Sequence, residues 1–147
     1  MRRVLSAICV LASLSACDSE PTDETPAGAL TLFLRAMDRS ERDAAGLRDA
    51  YELLDRESRA ALQERADLAN SSGVSGRRFQ PWEMLVRGRF HLRFVPRSED
   101  GIREIIEEGQ ARVIVTGNRD GQRADIPMVR EDGRWKVVLN LPPLLDE

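Results

Sequence analysis

The stretch RADIPMVREDGRWKVVLNL, residues 123–141, decides the fold. In its first half Ala124, Ile126 and Met128 alternate with Asp125, Pro127 and Val129. In its second half Trp135, Val137, Leu139 and Leu141 alternate with Lys136, Val138 and Asn140. A period of two places each set on one face of a strand. Between the halves lies Asp132-Gly133, the dipeptide of a tight hairpin turn. Pro127 has no N–H to give to a ladder, which predicts an edge or a bulge at that point.

Reading outward, ARVIVTG (111–117) is rich in β-branched residues and is a strand. IREIIEE (102–108) fits helix and strand alike. Strand is preferred because it would pair with 111–117 through a short glycine turn. In RFHLRFV (89–95) Phe90, Leu92 and Phe94 face one way and Arg89, His91 and Arg93 the other. The segments EEGQ, NRDGQ and EDGR each carry a turn glycine between strands.

Before residue 88 the period is helical. Pro26 suits a first turn with Thr25 as its cap, and Leu30, Phe33, Leu34 and Met37 form a stripe over 26–39. A second helix spans 43–54, with Leu47, Ala50, Tyr51 and Leu54 on one face. A third runs over 56–69, with Ala61, Leu62, Arg65 and Leu68 as its stripe. NSSGVSG (70–76) is a loop, and PWEMLV (81–86) a short helical turn. Helices followed by antiparallel strands predict an α+β domain over 26–147, its helices on one face of a curved sheet.

The chain has 147 residues and a formal charge of −3. Without its first sixteen residues it keeps 20 basic against 25 acidic side chains. That balance argues against nucleic acid as a partner, since such binding needs an electropositive face. No cysteine follows Cys17. The domain therefore has no internal disulfide, cysteine nucleophile or thiolate metal site. With one histidine and no carboxylate spacing typical of a metal site, neither metal nor cofactor is expected.

The N-terminus has the parts of an export signal. Arg2 and Arg3 precede an apolar run over 4–14 and then the small residues Ser15 and Ala16. That run spans roughly 16 Å as a helix, too short to cross a bilayer. Leu14-Ser15-Ala16-Cys17 resembles the bacterial lipobox. The resemblance implies diacylglycerol on the Cys17 thiol and cleavage between Ala16 and Cys17. Residues 1–16 are then the signal peptide, and 17–25, acidic and without bulky apolar residues, a flexible tether that cannot pack. The alternative is an ordinary secretory signal with a chance cysteine. The implied location is the bacterial cell envelope, facing the periplasm. Asp18 resembles the inner-membrane retention signal of enteric lipoproteins.

AGALTLFLRAMDRSERDAA, AYELLDRESRAAL and IPMVREDGRWKVVLNLP resemble the opening helices and closing hairpin of the nuclear transport factor 2, ketosteroid isomerase and SnoaL-like superfamily. The resemblance covers 26–142 and implies a cystatin-like cone of helices over a bent sheet, open at one end. In that superfamily's enzymes an Asp, His or Tyr lines the cone. The candidates here are Tyr51, His91, Asp125 and the indoles of Trp82 and Trp135. Asp125 or His91 would be the acid or base of an isomerase or hydrolase. The plainer readings are a solvent-facing Asp125, an edge His91, a core Trp135, a Trp82 closing the mouth and a Tyr51 with its hydroxyl at the rim. Arg77, Arg78, Arg87, Arg89, Arg93 and Arg97 form either a lipid-headgroup surface or a solvated strand face.

These residues predict a non-catalytic, lipid-anchored domain that binds a small apolar or amphiphilic ligand, or an envelope protein, near the membrane. The alternatives are an enzyme using Asp125 or His91, and a scaffold acting through its sheet face, with a homodimer as one form.

Overall fold

Helix α1 (Pro26–Arg39) starts where its cap chemistry predicts: extended Thr25 accepts the Gly28 N–H at 3.1 Å, and Pro26 fills the first turn. The computed structural model describes residues 20–73, 76–85, 92–97, 101–142 and 144. Leu30, Phe33 and Met37 of α1 are buried. Helix α2 (Ala45–Glu52) crosses α1 at Gly46, where a Cβ would lie 2.5 Å from both the Ala36 oxygen and the Ser40 nitrogen. Helix α3 (Arg56–Ser71) is capped by the buried Asp55, which accepts the N–H groups of Ser58 and Glu57, each at 3.2 Å.

The helical reading of 43–54 ran too far. Residues 53–55 leave the helix and run beside the last strand. There Leu53 accepts the Val137 N–H at 2.9 Å, and the Asp55 N–H donates to Val137 at 3.1 Å. The stripe of α3 is also rotated from the one expected. Ser58, Leu62 and Ala66 are buried, whereas Leu68 is 55% exposed. Ser58 goes inside because its hydroxyl accepts the Leu139 N–H at 2.8 Å.

Four strands follow: β1 (Ile102–Glu107), β2 (Gln110–Thr116), β3 (Arg123–Glu131) and β4 (Arg134–Val137). They pair as an antiparallel meander in that order. The preference for strand over 102–108 holds. Two turns have positive φ at both central residues, Glu108-Gly109 and Asp132-Gly133. They are the hairpin turns whose twist matches that of the strands. Ala111, Val113, Val115, Met128, Trp135 and Val137 pack with the helices in one core. The protein is α+β, with helices packed on one face of the sheet.

Pro127 is not on an edge strand, because β3 lies between β2 and β4. Its carbonyl accepts the Val138 N–H at 3.0 Å. Its missing N–H thus falls just where β4 ends, so an inner strand tolerates it. β4 stops at Val137, short of the expected Leu141, because the chain turns to meet Ser58 of α3. Of the strand expected over 89–95, residues 89–91 lie outside the described residues. Residues 92–97 contribute one bridge, Pro96 to Gly117.

Candidate functional site

Hollows open at the margin of the contact between α1 and the sheet. Leu30, Phe33 and Leu34 stand opposite Ala124, Ile126 and Leu139 across a cavity of about 390 Å³. A second hollow of about 600 Å³ lies between α1 and residues 92–96, with Leu34, Leu92, Phe94 and Ile102 in its wall. Leu34 and Leu92 line both, so the two hollows adjoin along α1 and are treated together as an apolar groove. The exposed side chains of Arg35, Asp38 and Arg93 border its wider part. Asn140 borders the narrower part.

The residues singled out from sequence do not converge. Tyr51 and Trp82 meet edge to face, their centroids 6.3 Å apart, between α2 and a 3₁₀ turn (Pro81–Met84). The Arg48 guanidinium lies 4.7 Å from the Trp82 ring centre, a cation–π contact. Trp135 is 5% exposed and belongs to the core, as its plainer reading had it. Asp125 pairs with Arg112 at 3.5 Å on the face of the sheet away from the helices. It has a guanidinium beside it, where a buried base would have apolar walls. His91 and the lipobox residues Leu14, Ser15, Ala16 and Cys17 lie outside the described residues.

Arg77 is drawn into local structure. It ion-pairs with Glu83 at 2.6 Å and lies over the Phe79 ring. Glu83 also accepts the Gln80 N–H at 2.8 Å, which closes the first turn of the 3₁₀ segment. The Arg77 hydrogen bond, reinforced by the Gln80 N–H, holds the Glu83 carboxyl below its usual range. Arg78, Arg93 and Arg97 are exposed; Arg87 and Arg89 lie outside the described residues.

Burial pushes the Tyr51 hydroxyl above its ordinary value of 10.0, against the pull of Arg59. It donates a long hydrogen bond, 3.4 Å, to the Arg59 carbonyl. Tyr51 is the sole tyrosine, so phenolate absorbance reads it alone. The folded protein should titrate above 10.0 and return to the ordinary value in denaturant. The raised value stabilises the fold below the unfolded pKa, and that stability is lost as pH rises through the folded one. An unshifted midpoint in the folded state would place this hydroxyl in free solvent.

Leu34 and Leu92 were legible only as members of apolar stripes. Nothing local marks them as groove walls, because the groove depends on how α1 meets the sheet and residues 92–96. Among the described residues, no three His, Cys, Asp or Glu side chains are grouped to hold a metal ion. No described helix is long and apolar enough to cross a membrane. No family model matches the chain, and no curated protein or solved structure matches it either.

Proposed function

We propose that this is a lipid-anchored protein of the bacterial envelope whose domain binds a small apolar or amphiphilic molecule in the groove beside α1. The observation that carries the reading is the pair of adjoining apolar hollows that share Leu34 and Leu92. Its two hollows, about 390 and 600 Å³, fall in the range of small-molecule sites, and their walls are mostly apolar. The charged side chains at the wider part suit a ligand with one polar end. The likeness of 26–142 to the cone-shaped superfamily supports the same reading, since that fold makes a pocket between helices and sheet. The anchor rests on the lipobox-like Leu14-Ser15-Ala16-Cys17.

The test uses full-length protein and a dansyl-labelled fatty acid as probe. Wild type should bind it saturably and with enhanced fluorescence. Leu34→Asp, at a half-buried position, should weaken binding at least about tenfold, because the probe's tail would cover an unpaired carboxylate. Circular dichroism checks that the variant keeps its fold. Absence of saturable binding by wild type, or equal affinity of the two proteins, would overturn the groove as a ligand site.

A further inference from the structure

The two edges of the sheet are treated differently. The outer side of β4 is covered by residues 53–55, which bond to Val137. β1 pairs with β2 on one side and, among the described residues, with no strand on the other. It is six residues long and holds no proline, and it leaves Ile106 54% and Ile102 40% exposed. Such an edge is a template for another strand.

The hairpin register fixes which backbone groups are free to pair. Glu107 and Gln110 flank the two-residue turn, so they exchange hydrogen bonds. The same holds for Ile105 with Arg112 and Arg103 with Ile114. The Thr116 N–H bond to Gly101, 2.7 Å, is in phase with this. Ile102, Glu104 and Ile106 therefore direct their N–H and C=O groups away from β2.

From this we infer that β1 joins β1 of a second copy of the chain, antiparallel about a two-fold axis at Ile105, making one continuous sheet. The charges select that register. With the axis at Ile105, Arg103 faces the partner's Glu107 twice and Ile105 faces Ile105. Glu104 and the partner's Ile106 supply the backbone bonds. An axis at Arg103 sets arginine against arginine. One at Glu104 or Glu107 sets glutamate against its own copy, and one at Ile106 sets Glu104 against Glu108. Like charges directly opposite are destabilising, and an axis at Ile102 would pair only that residue of β1 with its copy, so a single register remains. The interface is isologous and closes at two copies. It does not depend on the groove.

The test is sedimentation of the full-length protein in mild detergent over a range of concentrations. Wild type should dimerise reversibly. Arg103→Glu should raise the dissociation constant at least about tenfold, since both symmetric attractions become repulsions. Arg103→Glu combined with Glu107→Arg should restore it, a rescue that a merely structural role would not produce. Ile105 pairs with itself at a non-hydrogen-bonded site, where Cα atoms lie about 4.5 Å apart, within disulfide range. Ile105→Cys should thus cross-link under mild oxidation much faster than Ile106→Cys in the same chain. A monomer at every concentration, an indifferent Arg103→Glu, or faster cross-linking through residue 106 would each overturn the inference.

Discussion

Gly46→Ala should destabilise the domain by about 3 kcal/mol, although glycine to alanine inside a helix ordinarily stabilises by up to about 1 kcal/mol. The sign reverses because of what the new methyl group would meet. The Ala36 oxygen, the Ser40 nitrogen and the Ser40 Cα lie 2.5, 2.5 and 2.8 Å from its position. All three are backbone atoms of α1 and its cap, so no side chain can rotate aside. Either α2 lifts off α1 or the end of α1 unwinds. Both moves loosen Leu47 and Ala50, which α2 buries in the core. Thermal unfolding followed by circular dichroism should show a fall in Tm on the order of 10 °C. Gly76→Ala is the control, because nothing lies within 4 Å of its Cβ position. Its Tm should stay close to wild type. A Gly46→Ala protein as stable as the control would mean that the two helices do not cross this closely.

Cys17→Ser should abolish lipid attachment completely. A serine hydroxyl cannot form the thioether to diacylglycerol, and without that step the cut between Ala16 and residue 17 is not made. One acyl chain gives only marginal membrane binding, whereas two or three hold stably at about 0.8 kcal/mol per buried methylene. In cells fed labelled palmitate, wild type should carry the label on a chain that begins at Cys17. The variant should be unlabelled and still keep residues 1–16. Equal labelling of both proteins, or a wild-type N-terminus elsewhere, would overturn the anchor.

The elements legible in the sequence were those with local causes. Thr25 begins a helix by accepting the N–H groups of Gly28 and Ala29, and Asp132-Gly133 turns a hairpin through its own φ angles. Features with distant causes were misread. Leu54 continues a helical stripe, yet it bridges to Val137. Ser58 stands outside the expected apolar stripe and is buried, its hydroxyl accepting the Leu139 N–H. Pro127 reads as an edge or a bulge, yet β3 is an inner strand, and the uncovered edge among the described residues is β1, where no proline stands. For the site the same divide applies. Tyr51 and Trp82 are neighbours in space on the helical side, Asp125 lies on the outer sheet face, and the groove follows from how α1 meets the sheet and residues 92–96, which no spacing encodes.

If the groove binds an amphiphile as proposed, the contact between the N-terminal segment and β4 sets how the two meet. Asp23 accepts the backbone N–H of the buried Trp135 at 2.8 Å, and its carboxylate pairs with Arg134. The chain is thus pinned to the core six residues after Cys17, a reach of about 20 Å at full extension. With Cys17 lipidated as proposed, the groove stays within one protein diameter of the bilayer. An amphiphile dissolved in that bilayer then meets it at the millimolar effective concentrations of a short leash. Encounter becomes a search in two dimensions, and even a weakly binding groove would remain occupied.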